Sequence, residues 1–189
     1  MVKNLIRKSL LEQGQLLSKN FIHKANIDIQ NAAIKHLDIK SSKNILSYFP
    51  YKNEVTLEII SKEFKKYKNN IFMPRIVSAN QLKFNLFKEN AALEKNKYGI
   101  YEVKNENYLD LASFDLMFIP FVGIDKGGYR LGYGGGYFDR SLNKISFAEK
   151  KPIIVGLGYD FQILEESFAE SHDLKYDTVI TQTRIHSYS

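Results

Sequence analysis

The chain has 189 residues, 44% of them hydrophobic and 25% charged, a balance that supplies one well-buried core and argues against disorder along the whole length. It contains no cysteine, which excludes disulfide frameworks, thiolate nucleophiles and cysteine-ligated zinc or iron–sulfur sites. Twenty-seven basic residues against 21 acidic ones give a net charge of +6. Only Arg7, Arg75, Arg130, Arg140 and Arg184 are arginines, and the lysines are scattered among Asn and Ile. The charge alone therefore does not separate a solvated surface from one tuned to an anionic partner. The histidines form no HExxH pair, which argues against a histidine metal site. Apolar runs such as Leu116–Val122 fall short of the roughly 20 residues of a membrane span. The opening MVKNLIRKSLLEQ lacks the unbroken apolar stretch of a secretory signal. A soluble, cytoplasmic protein folded as one domain over residues 1–189 is expected.

Leucines at helical spacing predict an amphipathic helix over 3–18, and Ile22, Ile29, Ala33, Ile34 and Leu37 a second over 20–38. Asn44–Phe49 reads as a strand ended by Pro50; 54–68 returns to helical spacing. Ile71–Met73 is a strand candidate stopped at Pro74, and Leu82–Phe87 alternates as a strand with one wet face. Residues 88–112 are polar and weakly patterned, a surface excursion. Leu116–Ile119, Ile153–Val155 and Thr178–Ile180 read as fully buried strands. Short buried strands between helices predict an α/β layer fold with a largely parallel sheet.

Seven of the 11 glycines fall between Gly123 and Gly136. Glycine loses more backbone entropy on folding than any other residue, so this density demands a reason. The run ends where Tyr137–Ile145 takes up helical spacing, so its main-chain amides meet a helix N-terminus suited to phosphate. It matches neither GxxxxGK[ST] nor GxGxxG in a useful register. A ligand-free hairpin or lid is the plain alternative, but Arg130, Asp139 and Arg140 are charges that a turn does not require.

The stretch Asp125-Lys-Gly-Gly-Tyr-Arg130-Leu-Gly-Tyr-Gly-Gly-Gly-Tyr137-Phe138-Asp139-Arg140 resembles the hallmark of the 5-formyltetrahydrofolate cyclo-ligase (methenyltetrahydrofolate synthetase) family, D-x-x-G-x-R-L-G-x-G-x-G-Y-Y-D-R, with Phe138 in place of the second Tyr. In family order, Lys3-Asn-Leu-Ile-Arg7 is similar to its K-x-x-x-R opening and Tyr48–Val55 to its substrate segment. Met73-Pro-Arg75 is similar to L-P-R, and His172-Asp173 through Asp177–Thr181 to its closing segment. The resemblance implies a three-layer α/β/α fold of the cyclo-ligase, NagB–RpiA–CoA-transferase-like kind. It also implies a reaction using ATP and Mg2+ to convert 5-formyltetrahydrofolate to 5,10-methenyltetrahydrofolate, ADP and phosphate, by phosphorylating the formyl oxygen before N10 closes the ring. A family relative acting on another substrate, such as a thiamine-pathway compound, is the alternative.

Carried over by resemblance, Lys3, Asn4, Leu5, Ile6 and Arg7 contact ATP, as do Arg130, Leu131, Gly132, Tyr133, Gly134, Gly135, Gly136, Tyr137 and Phe138. Arg130 and Tyr137 are the implied catalytic residues. Tyr51, Glu54 and Arg75 are implied to contact folate together with Tyr133–Tyr137, and Asp139 and Asp177 to hold Mg2+. Local alternatives remain: a first-turn helix acid for Asp139, a turn residue for Asp177, a surface ion pair for Arg75 and a hydrogen-bonded His172–Asp173 pair. Of Tyr48, Phe49 and Tyr51, which could stack on a pterin, Phe49 is assigned to the core. Partners are expected to be these small molecules, with no nucleic acid and no membrane, and the protein a monomer.

Overall fold

The computed structural model describes residues 2–79, 81–143, 145, 150–170 and 173–188. Helix α1 (Val2–Gln15) stops where Ser18 takes extended backbone and accepts the Phe21 N–H, capping α2 (Lys19–His36). Then follow β1 (Asn44–Leu46), α3 (Glu58–Tyr67), β2 (Asn70–Ser78), β3 (Gln81–Phe87), β4 (Leu93–Lys95), β5 (Tyr101–Val103) and β6 (Leu116–Phe118). The chain continues through β7 (Gly123–Ile124), β8 (Arg130–Leu131), α4 (Tyr137–Leu142), β9 (Ile153–Leu157), β10 (Thr178–Ile180) and β11 (Ile185–Ser187). No helix among the described residues is long and apolar enough to cross a membrane.

Seven strands form one sheet in the order β11-β10-β9-β6-β1-β2-β3. Its five middle strands run parallel, and β3 and β11 flank them antiparallel. Strand alternation sorts the core into two faces. Ile45, Leu116, Phe118, Val155 and Ile180 pack under α2 and α3. Leu46, Met117, Ile119, Ile154 and Val179 face the other way, against Leu142 of α4, Ile124 and the 174–176 segment. The expected α/β architecture with a mostly parallel sheet is present, but the second outer layer is one short helix and connecting chain.

Strand β2 runs through Pro74, where the sequence suggested a stop. Leu86 N–H and Phe84 C=O bond outward to Asn107 and Leu109, so the Phe72–Leu86 and Pro74–Phe84 pairs exchange no bonds with each other. The Pro74 nitrogen thus faces β1, which has already ended at Leu46. No ladder bond is lost. Ending β1 early also frees residues 47–57 to cross the carboxyl edge of the sheet, where α/β folds place their ligands.

Residues 88–112 are not a surface excursion. Strands β4 and β5 form a hairpin folded back on β2 and β3. Asn85, fully buried rather than on a wet face, donates through Nδ2 to the carbonyls of Val103 and Asn105, and Glu102 accepts the Ile76 N–H at 3.0 Å. Asn85→Ala should lower stability by about 1–3 kcal/mol. This is read as a lower urea midpoint at unchanged slope; an unmoved midpoint would show that the hairpin is held elsewhere.

Candidate active site

Helix α1 lies across the loops at the carboxyl edge and is clamped along its length. Lys3 Nζ sits 2.6 Å from Asp173 Oδ2 and 3.4 Å from Glu170, Arg7 Nε donates to the Gly132 carbonyl at 2.7 Å, and Asn53 donates to the Gly14 carbonyl at 2.7 Å. Lys3 and Arg7, four residues apart, therefore share one helix face over the glycine loop. Two glycines there have specific reasons. The Arg130 Nη2 occupies the place where a Cβ on Gly132 would stand, and Gly136 has φ +62° as it caps α4. Helix α4 is shorter than the predicted 137–145.

The loop borders a cavity of about 270 Å³. Tyr48, Phe49, Tyr51 and Glu54 enter it from the segment after β1, Pro74 and Ile76 from β2, and Tyr98, Ile100 and Glu102 from the β4–β5 hairpin. Arg130, Tyr133, Gly135, Gly136, Tyr137 and Phe138 add the wall on the side of the glycine loop. Tyr98 and Tyr137 meet at the rim, hydroxyls 3.3 Å apart. The Tyr98 hydroxyl and the Lys97 amine hold the Tyr137 phenol below its ordinary range. A second cavity, about 410 Å³, lies between Leu10, Leu11 and Gly14 of α1 and the ends of β6 and β9. Glu54 and Tyr133 border both cavities, and the Tyr51 and Tyr133 rings meet edge-on at 5.3 Å.

Arg130 is 6% exposed, and neither its Nε nor its Nη1 has a hydrogen-bond partner among the described residues. The guanidinium lies 5.3 Å from the Phe138 ring, and its Nε stands 3.7 Å from Asp139 Oδ1, an ion pair too long to be a hydrogen bond. Asp139 also accepts the Leu174 N–H at 3.4 Å. Glu54 accepts the Tyr51 N–H at 2.8 Å, yet burial pushes its carboxyl up to about 8 despite that bond and the charge of Arg130, both of which pull it down. The site thus presents a buried cation short of acceptors and a carboxyl reluctant to ionise, both facing an aromatic cavity.

The structure brings together Lys3, Arg7, Tyr51, Glu54, the 130–138 segment and Asp139. It does not bring Arg75: in β2 the flanking Pro74 and Ile76 line the cavity, so Arg75 points elsewhere. Its guanidinium donates to the carbonyls of Lys104 and Asn105 and pairs with Glu94 at 3.3 Å, holding the hairpin. Nor does it bring Asp177, which precedes β10 at the amino edge and accepts the Ile154 N–H at 2.7 Å. The acid that comes to the site is Asp173, on Lys3. Its place beside His172 in the closing segment was a usable signal; His172 itself lies outside the described residues. Leu5, between Asn4 and Ile6, points to solvent at 67% exposure. Phe49, assigned to the core, is in the cavity wall because β1 ends three residues before it. Tyr98, Asn96 and Glu102 escaped the sequence reading because nothing local shows that the hairpin returns.

A model of the 5-formyltetrahydrofolate cyclo-ligase family matches residues 1–182. The chain is 31% identical to 5-formyltetrahydrofolate cyclo-ligase of Mycoplasma pneumoniae over 184 residues, 95% of this chain and 98% of that one. It is 30% identical to that of Haemophilus influenzae (80% and 82% covered) and 28% identical to that of Mus musculus (94% and 92% covered). The solved structure of Aquifex aeolicus 5,10-methenyltetrahydrofolate synthetase superposes with a TM-score of 0.84 at 26% identity, over 99% of this chain and 93% of that one. That of the Mycoplasma pneumoniae synthetase gives 0.79 at 27%, over 96% and 99%. Hallmark loop, sheet order and near-complete coverage agree, and the chain belongs to the 5-formyltetrahydrofolate cyclo-ligase family.

Proposed function

We propose that the protein converts 5-formyltetrahydrofolate to 5,10-methenyltetrahydrofolate at the expense of ATP, with Mg2+ as the metal. The observation that carries this reading is the buried Arg130 guanidinium with two unpartnered nitrogens in the cavity wall. A phosphoryl group in transit is the anion that such a fork accepts.

A formamide oxygen leaves poorly, so it must be activated. In the proposed sequence the formyl oxygen attacks the γ-phosphorus and ADP departs, leaving an iminium phosphate. N10 then attacks the formyl carbon, the carbon–oxygen bond breaks, and phosphate leaves as N10 gives up its proton. Arg130, Lys3, Arg7 and the amides of the glycine loop neutralise and orient phosphate oxygens, and Tyr137 closes the rim. Catalysis is positioning and charge compensation, with no enzyme nucleophile. The pterin stacks among Phe49, Tyr51 and Tyr98, and ionised Glu54 grips its ring N–H donors.

Among the described residues, no three His, Asp or Glu side chains converge as a protein-only metal site. That suits Mg2+, which takes one or two carboxylates and completes its shell with phosphates and water. Asp139 and Asp173 would hold it, and when bound it neutralises phosphate charge. A family relative acting on another formamide predicts ATP hydrolysis without product; mixing protein, 5-formyltetrahydrofolate, ATP and Mg2+ while following methenyl absorbance decides. No absorbance rise would end the folate assignment.

Arg130→Lys keeps the charge but loses the fork. Turnover should fall about a hundredfold, with the KM for ATP rising more than that for folate; an unchanged KM for ATP would remove Arg130 from the phosphates. Asp139→Asn should raise the Mg2+ needed for half-maximal rate, and an unaltered Mg2+ titration would exclude it from the metal. The pH dependence follows from Glu54. If ionised Glu54 grips the folate, kcat/KM for folate should rise with pH, inflecting near about 8, and the inflection should vanish in Glu54→Gln. Stability runs oppositely. Between 4.5 and about 8 the folded protein retains a proton that the unfolded chain has released, so stability falls as pH rises. Glu54→Gln should therefore gain in Tm over wild type between about pH 5 and about pH 9; a constant difference would contradict the raised pKa.

A further inference from the structure

Asp125 has no part in the proposed chemistry, yet it is fully buried and its carboxylate accepts from five donors. Oδ1 takes the N–H groups of Gly127 at 2.9 Å and Tyr129 at 3.0 Å. Oδ2 takes those of Phe168 and Ala169, each at 3.2 Å, and the Ser167 hydroxyl at 3.4 Å. The first pair lies in the turn that leads directly into Arg130. The second group lies in the strap that leads to Glu170 and Asp173, the two acids on Lys3. Beyond the knot the turn and strap stay joined, since Arg130 N–H donates to the Leu174 carbonyl at 3.0 Å and Leu174 N–H to Asp139. A turn alone would need only the first oxygen.

We propose that Asp125 is a positioning residue: one buried carboxylate fixes the Arg130 turn and the Asp173 strap as a single unit, and so sets Lys3 and the acids against the phosphate-binding loop. The inference rests on the ATP-dependent reading for its kinetic consequence but not for its structural one. The residues placed around the pterin, Phe49, Tyr51, Glu54 and Tyr98, lie on neither segment, and only Arg130 borders their cavity from the turn, so the effect should fall mainly on the nucleotide side.

Asp125→Asn is the informative variant. An amide that keeps its oxygen on Gly127 and Tyr129 turns an NH2 toward the strap, where the Ser167 hydroxyl can rotate to accept but the Phe168 and Ala169 N–H groups lose their acceptor. Amide exchange should quicken at Phe168 and Ala169 while Gly127 and Tyr129 stay protected. The KM for ATP should rise about tenfold and kcat fall, with the KM for 5-formyltetrahydrofolate, read at saturating ATP, changing far less. A merely structural residue would lower Tm and active fraction and leave both KM values alone, and that result overturns the proposal, as does uniform loss of protection. Should Asp125→Asn fail to fold, Ser167→Ala, at an exposed position that removes one strap donor, should still raise the KM for ATP about twofold; no change there also overturns it. Wild-type protein that yields no methenyl product would sink the folate reading, while the exchange pattern would still decide the knot.

Discussion

The site depends on a buried cation in a cavity wall whose guanidinium is not saturated by acceptors among the described residues. Burying an ion and leaving its donors unpaired costs several kcal/mol, and Arg130 has two such nitrogens. The surroundings offset some of this without discharging it: Asp139 stands at ion-pair rather than hydrogen-bond distance, and the Phe138 face lies against the guanidinium. A closer carboxylate would satisfy the arginine and spoil it as a receptor. Gly132 serves the same end, since any side chain there would displace the guanidinium from its place.

Much of the fold was legible because the parallel strands are buried on both faces and read as short apolar runs. Helical spacing marked the four α-helices of the described residues, the last of them too long, and apolar runs marked the strands expected at 116–119, 153–155 and 178–180. What was not legible depends on partners distant in sequence. Pro74 forbids a strand only if its nitrogen faces an occupied neighbour, and that is decided by where β1 stops. The polar 88–112 segment gains its role from Asn85 and Arg75, which bind its carbonyls.

The candidate site divides in the same way. The glycine loop, Lys3, Arg7 and Asp139 were readable because they sit in dense, ordered motifs. Arg75 and Asp177 matched weaker motifs, and each is spent on backbone groups: one on the hairpin, the other on Ile154. A short motif specifies a residue type at a place in the chain, and β alternation then decides which face of the sheet receives the side chain. Asp173 rather than Asp177 reaches the site because the closing segment first passes the Arg130 turn and only afterwards enters the sheet at its amino edge.

Glu54 shows why cavity and charge must be treated together. It stands where the two cavities meet, with Tyr133 beside it and Arg130 close enough to draw its pKa down, but burial outweighs both that charge and the Tyr51 N–H. A carboxyl in this condition ionises more readily when a ligand supplies donors to it, so binding and ionisation are linked. Arg130 has the converse condition: permanently charged, it gains its missing acceptors only when an anion arrives. Two groups of opposite sign, each incomplete until a ligand comes, face the same aromatic cavity. An anion on Arg130 cancels part of the field that favours ionised Glu54, so Glu54 must then draw its stabilisation from the donors of its own ligand. On the proposed reading, the N–H donors of folate supply Glu54 and the phosphate oxygens supply Arg130, so each group is completed by its own ligand and the formyl oxygen and the phosphoryl group are held in one cavity.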